Sequence, residues 1–401
     1  MNKVVLAYSG GLDTSVCIHW LRHAKGLQVV TFTADLGQGV DGEILCERAL
    51  ASGADSAFIE DLRRPFVCDY IHRAILANAV YETGYYLTTA LGRGLIAEAL
   101  VRKAREESAR YVAHGCTGKG NDQVRFEASI AALAPDLQVI APVREWDLTS
   151  REAEIEYAKT QGIPIGVTVD STYSIDRNLW GVSIECGPLE DPWAEPPAEA
   201  YLTTVDPARA PDEPAIIEVS FEAGVPVALG GERPDPVALI QQVARIGARH
   251  GVGRSDLVED RVVGIKSREI YEAPAAAILI TAHRALEALT LSREVIAFQE
   301  QVSQRYARLI YDGLWFSDLR KGLDAFLGET QRYVNGTVRL KLYKGRAAVI
   351  GRTSPNSLYD FGLATYGGGD TFRRSAAKDF IHIWSLPLRA EAKRRQRKEG
   401  D

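Results

Sequence analysis

Ala7-Tyr8-Ser9-Gly10-Gly11-Leu12-Asp13-Thr14-Ser15 is the stretch on which the reading of the fold turns. It directly follows Val4-Val5-Leu6-Ala7, an apolar run that reads as a buried strand. It opens a segment in which Val16, Ile18, Trp20 and Leu21 have helix-like spacing. A strand that passes through two glycines into a helix makes a cradle for an anion. Glycine lets the backbone turn sharply and come close to a ligand. The helix start offers unpaired N–H groups and the positive end of the dipole. Ser9, Thr14 and Ser15 add hydroxyl donors, and the whole suits phosphate. It is not a Walker A loop, because no G-x-x-x-x-G-K-[ST] occurs in the chain and the loop holds no lysine. A cradle without that lysine fits chemistry in which the terminal phosphates are held as a leaving group.

Outward from this loop the pattern stays alternating. Val29-Val30-Thr31-Phe32, Ala57-Phe58-Ile59, Tyr111-Val112-Ala113-His114 and Gln138-Val139-Ile140-Ala141 read as further strands, and Glu43 to Ser52 and Leu91 to Ala104 as helices. Strands alternating with helices predict an α/β fold with a parallel sheet covered on both faces. In such sheets ligands bind beyond the carboxyl ends of the strands, so the residues just after each strand matter most. Near residue 170 the pattern changes. Gly187 to Pro214 holds seven of the 17 prolines and reads as an irregular arm, tied down by Leu189 and Trp193. Ile216 to Glu222 alternates like a strand, Val237 to His250 is helix-like, and Ala275 to Ile310 is one or two long helices. Val334 to Leu342 and Arg346 to Ile350 read as a hairpin turning on Lys344-Gly345. Arg389 to Lys398 carries six basic residues and reads as a solvated or subunit-contacting helix. The expected division is a nucleotide-binding domain over 1–168 and a mixed α+β domain over 169–401, with a helical tail from about 380.

Composition narrows the class. The chain has 401 residues, 46% of them apolar and 25% charged, which suits two or three globular domains. A net charge of −6 gives no default expectation of nucleic acid. No apolar run approaches the roughly 20 residues of a membrane-spanning helix. Five scattered cysteines without a C-x-x-C pair suggest neither a disulfide framework nor a zinc site, and predict a reduced, cytoplasmic setting.

A second motif, His114-Gly115-Cys116-Thr117-Gly118-Lys119-Gly120-Asn121-Asp122-Gln123-Val124-Arg125-Phe126-Glu127, also follows a strand and precedes a helix. Its glycines allow close backbone approach. Asn121 and Arg125 are four apart and would share a helix face. Asp122 suits an ammonium group, and Arg125 can hold a carboxylate in a fork. Anion and ammonium receptors side by side suit amino-acid ligands.

These motifs carry a family resemblance. Ser9 to Ser15 resembles the pyrophosphate loop of the N-type ATP pyrophosphatases, which cleave ATP between the α and β phosphates and adenylate a substrate. Thr117 to Glu127 is similar throughout to the signature of the argininosuccinate synthase family. Further matches run in the family's order: Asp35 to Gln38, Tyr173 to Trp180, Ser183 to Glu185, Val258 to Arg261, Gly264 to Pro274 and Ser357 to Asp360. The resemblance spans essentially the whole chain. It implies that residues 7–15 bind ATP, with Ala34 beside the adenosine and Gly115 on the nucleotide. It implies Tyr85, Asn121, Arg125, Ser174, Ser183, Glu259 and Tyr271 for citrulline, and Thr117, Asn121 and Asp122 for aspartate.

The implied reaction joins citrulline to aspartate through citrullyl-AMP, with ATP and Mg²⁺. Asp13, Asp122 and Arg125 are the residues closest to the chemistry. Asp13 is open to two roles, holding a metal–phosphate group or capping the helix. No residue set is assigned to a metal held by protein alone, and no general base is assigned. The resemblance also implies a synthetase and multimerisation role for the second domain, and a homotetramer. Ala90 and Gly94 depart from the family, in which serine and proline are common; Thr89 is placed to compensate for Ala90. The alternative is a paralogous AMP-forming ligase that joins a different ureido and amino acid pair.

Overall fold

The computed structural model describes residues 2–39, 41–82, 84–148, 150–164 and 173–398. The expected domain boundary at 168/169 and the last three residues of the expected tail lie outside them. The chain divides into two compact units, residues up to 356 and residues from 357 onward.

The first half alternates as its sequence predicts: β1 (Lys3–Ala7), α1 (Leu12–His23), β2 (Gln28–Asp35), α2 (Gly42–Ala51), β3 (Ser56–Asp61), α3 (Thr88–Glu106), β4 (Tyr111–Ala113), α4 (Asp122–Leu133), β5 (Gln138–Ile140) and α5 (Arg151–Thr160). The strands form one sheet in the order β3-β2-β1-β4-β5, parallel at every pairing. Successive side chains of β1 go to opposite faces: Val5 packs in one core, Val4 and Leu6 in the other. Local chemistry sets the helix starts. Asp41 accepts from the N–H groups of Glu43 and Ile44, and Ser150 caps α5 in the same way. The strand order reverses at β1, so the loops after β1 and β4 lie at the switch point where α/β sheets bind ligands.

The second half adds β6 (Ser174–Asn178), β7 (Gly181–Glu185), β8 (Ala215–Glu222), β9 (Val225–Leu229), α6 (Pro236–Arg249), β10 (Arg254–Asp260), β11 (Lys266–Glu272), α7 (Pro274–Thr290), α8 (Arg293–Tyr311), α9 (Asp318–Gln331), β12 (Gly336–Tyr343) and β13 (Arg346–Thr353). These strands make two sheets, β10-β11-β7-β6 and β13-β12-β8-β9. Each apolar stretch of 275–310 belongs to its own helix, α7 or α8, separated at Leu291-Ser292. The expected hairpin is β12–β13, with Lys344 and Gly345 both at positive φ (46° and 84°), as a type I′ turn requires. The arm between β7 and β8 is irregular, with short 3₁₀ turns. Leu189 anchors it in a small core with Val182, Ile184, Ala200 and Ile270. Trp193 corrects the expectation: it is 95% exposed and holds nothing. Glu272 holds the arm instead, its buried carboxylate accepting from the backbone N–H groups of Leu202, Thr203 and Thr204.

The unit from 357 contains α10 (Ser375–Trp384) and α11 (Leu386–Lys398). Among the described residues, no helix is long and apolar enough to cross a membrane.

Candidate active site

The loop after β1 turns where its glycines allow. Gly10 has φ 78°, and a side chain there would strike Leu45. The Arg48 guanidinium donates to the Gly10 carbonyl at 2.9 Å and fixes the turn from outside. Gly11 caps α1 without any side-chain acceptor, which leaves the first N–H groups of the helix available to an anion. The hydroxyls of Ser9 and Thr14 meet at 3.1 Å on the rim. The loop after β4 comes in beside it: a Cβ on Gly115 would lie 2.9 Å from the Thr14 methyl. Two glycine-rich loops therefore close on one another at the switch point and form one wall of a cleft of about 650 Å³.

The opposite wall is one face of the sheet β10-β11-β7-β6. Residues directly opposite in a ladder share a face. Ser174 pairs with Glu185, Asp176 with Ser183, Ser183 with Tyr271, and Glu259 with Ser267 two places from Glu269. Period-two alternation thus puts Ser174, Asp176, Ser183, Glu185, Glu259, Glu269 and Tyr271 on the same side, while Val182, Ile184 and Ile270 face the small core behind.

Charge is concentrated between these walls. Arg93, on α3, bonds to both Asp122 and Asp176. Asp122 also accepts from Arg125 Nη1 at 2.9 Å. Burial opposes the charge on Asp122, but Arg93 and Arg125 outweigh it and hold its carboxyl at about 2. Burial pushes the Asp176 carboxyl up, with Arg93 pulling the other way. Arg125 is 4% exposed. Its Nε donates to the Tyr311 carbonyl at 2.9 Å, and its plane lies over the Tyr311 ring. Farther along the face, Arg261 bridges Glu185 and Glu269. The Tyr271 hydroxyl sits between Glu259 at 3.0 Å and Glu269 at 2.9 Å.

Of the sequence-predicted residues, Ala7, Tyr8, Ser9, Gly11, Asp13, Thr14, Ala34 and Gly115 line the cleft, as do Tyr85, Thr117, Asn121, Asp122, Arg125, Ser174, Ser183 and Glu259. Four do not. Gly10 shapes the turn. Leu12 packs in the core, and Ser15 meets the Tyr8 hydroxyl at 3.2 Å. Tyr271 lies beneath the wall, stacked on Tyr85 with ring centroids 4.2 Å apart. Asn121 has helical backbone (φ −71°, ψ −25°), its carbonyl accepts from the Arg125 N–H at 3.1 Å, and both side chains meet Tyr311, as the four-residue spacing predicts. Its amide is committed to the Tyr311 hydroxyl at 2.9 Å and the Val262 N–H at 2.9 Å. Ala90 is buried, and its N–H donates to the Tyr85 hydroxyl. Beside it, Thr89 reaches the cleft and its hydroxyl meets that of Ser183 at 2.6 Å.

Sequence reading missed Arg93, Asp176, Glu185, Arg261 and Glu269 as cleft residues. The last four lie inside the quoted motifs, and period-two counting from Ser174, Ser183, Glu259 and Tyr271 would have selected them. Outside the cleft lining, Glu154 is buried beside Asp13; burial, then that neighbouring carboxyl, pushes it up to about 8.

An anion cradle at the switch point of a parallel sheet, facing an ionic wall supplied by a second sheet, defines a nucleotide-binding α/β enzyme with a composite cleft. Comparison with known proteins makes this specific. Residues 3–164 match the family model of the arginosuccinate synthase N-terminal HUP domain, and residues 173–391 that of the C-terminal domain. Argininosuccinate synthases from Chlorobium limicola and Gloeobacter violaceus are each 56% identical, over 97% and 98% of this chain and 97% and 99% of theirs. One from Dehalococcoides mccartyi is 55% identical over 98% of this chain and 96% of its own. The chain belongs to the argininosuccinate synthase family, and is a ligase of that family.

Proposed function

We propose that the chain ligates L-citrulline and L-aspartate to argininosuccinate, releasing AMP and pyrophosphate, as a cytoplasmic step of arginine biosynthesis. The observation that carries this reading is the meeting of an uncapped phosphate cradle with paired acidic and basic groups across one cleft, in a chain of this family. The ureido oxygen of citrulline attacks the α-phosphorus of ATP, giving citrullyl-AMP and pyrophosphate. The amino group of aspartate then displaces AMP. The N–H groups at the start of α1 stabilise charge growing on pyrophosphate. No protein nucleophile is needed, and positioning carries much of the rate.

Mg²⁺ fits as a companion of the phosphates. Among the described residues no group of three or more His, Cys, Asp or Glu side chains is placed to hold a metal ion, and Asp13 is the carboxylate of the cradle. That donor set suits an ion held through phosphates and one carboxylate. When bound, the ion supplies charge neutralisation on the leaving phosphates. Asp122 orients the aspartate ammonium and Arg125 the citrulline carboxylate. The assembled form is a homotetramer, supported by the apolar surface of α10 and its neighbours, and neither nucleic acid nor membrane is a partner. The test is release of pyrophosphate and AMP from MgATP with both amino acids present and each omitted in turn. Turnover only with both supports the reading; equal turnover with other ureido or amino acids favours the paralogue.

A further inference from the structure

The proposed ligation leaves one requirement open. The amino group of the second substrate arrives as an ammonium, and it cannot attack until it loses a proton. The cleft wall carries three carboxyl groups, Glu185, Glu259 and Glu269, close around one guanidinium and one phenol. Tyr271 has a single hydroxyl proton to share between Glu259 and Glu269. The second Glu259 oxygen is buried with no partner, and so is the Arg261 Nε. Arg261 balances only one of the three negative charges, so the group is arranged to hold a proton. Glu185 is the most open of the three, with its side chain 33% exposed, against 13% for Glu269 and a Glu259 that is 2% exposed as a residue. It lies on the same sheet face as Ser183 and near Asp122.

Resting on the proposed ligation, we infer that Glu185 is the proton acceptor of the amine-transfer half, with Arg261 and Glu269 as its positioning residues. The N–H bond of the ammonium breaks, leaving its electron pair on nitrogen, and the proton goes to the Glu185 carboxylate. That pair forms the C–N bond to the neutral adenylated isourea. The C–O bond to AMP breaks and AMP departs with its electrons. The two hydrogens left on the amine remain in the guanidinium product. The groups that face Glu185 are Arg261 after β10, Glu269 on β11, Asp122 at the start of α4, and Cys186 next along its own chain. Burial, then Glu269, pushes Glu185 up to about 7, against the pull of Arg261. An acceptor is most effective when its pKa lies near the working pH.

The test uses the purified full chain with MgATP. Single-turnover pyrophosphate release with citrulline alone reads the first half; aspartate-dependent AMP release reads the second. In the wild type, the second half should fall on the acid side with a midpoint at about 7, and the first half should not. Glu185→Gln should slow the second half by about 10²–10⁴-fold, remove that limb, and slow the first half far less. Glu185→Asp should recover part of the rate. Glu269→Gln removes the neighbouring carboxyl that raises Glu185, one itself pushed up to about 8 by burial and then Glu259, and should move the limb to lower pH. A wild-type second half without the limb overturns the assignment even if no variant folds. Equal loss of both halves in Glu185→Gln, with the limb unchanged, also overturns it. Absence of citrulline-dependent pyrophosphate release from the wild type would sink the ligation reading itself, and the assignment with it.

Discussion

The sequence assigns Asp122 to an ammonium and Arg125 to a carboxylate; the structure pairs them with each other at 2.9 Å. The spacing already contained this, because residues three apart on a helix meet. Both residues line the cleft, and the other Asp122 oxygen accepts from Arg93 Nε at 2.9 Å. Arg125→Lys keeps the charge but loses the fork. It should raise the citrulline KM about tenfold or more while leaving the ATP KM within a factor of two to three; an unchanged citrulline KM would contradict the assignment. Asp122→Asn should instead raise the aspartate KM. It also has a pH signature. The folded carboxyl, held at about 2, lies below its ordinary value of 3.8. The stabilisation from its charge is therefore complete above that ordinary value and is lost as pH falls through the folded one. The gap in Tm between wild type and Asp122→Asn should be constant from neutral pH down to about 5 and shrink between about 4 and 2. A gap that shrinks near neutrality would show that another group carries it.

In the second half of the chain, helices and one hairpin are legible in the sequence, but the sheet that walls the cleft is not. Strands β6, β10 and β11 carry charged or hydroxyl side chains on both faces, so the alternation of apolar and polar residues that marks an ordinary strand is blurred; β7 does alternate, with Val182 and Ile184 between Ser183 and Glu185, but is only five residues long. The motifs locate the chemistry there without revealing the elements that hold it. The same limit hides the polar tie between α7, α9 and the turn at Asn78. His283 is fully buried, with Nδ1 2.8 Å from the Asn78 oxygen and Nε2 2.9 Å from the Gln331 oxygen. The nitrogens of both amides donate to Glu287 at 2.6 Å. Those bonds to a carboxylate fix both amide orientations, with each amide oxygen turned to a ring nitrogen, and the ring of four is closed. Removing one member of such a buried polar network strands the rest. His283→Leu should cost about 3–5 kcal/mol in urea unfolding while leaving substrate KM values unchanged in whatever folds. A loss below about 1 kcal/mol would show that the network is not coupled.

The unit from residue 357 onward exposes what a soluble monomer ordinarily hides. Phe380, Ile381, Ile383 and Trp384 crowd two turns of α10, and each is at least 59% exposed. The rings of Phe380 and Trp384 stack with centroids 5.6 Å apart, a preformed apolar plate. Leu386 and Leu388 continue the patch into α11, and Phe361 and Tyr366 of the same unit are 70% and 100% exposed. Each side chain of this size gains about 1.5–3 kcal/mol when fully buried. Several together can exceed the cost of association, which is why such patches mark interfaces. Placing the partner as other copies of the chain predicts that the purified protein runs as a tetramer by light scattering, with a Tm that rises with protein concentration. Trp384→Asp puts a charge where an aromatic anchor is needed, at a cost of about 2–4 kcal/mol per interface and so a roughly 30- to 1,000-fold weaker assembly constant. Smaller species should then appear at micromolar concentration, while the cleft, built entirely from residues before 357, keeps its affinity for ATP. A wild type that is monomeric at every concentration, or a Trp384→Asp variant that stays fully assembled, would show that this surface serves a different partner.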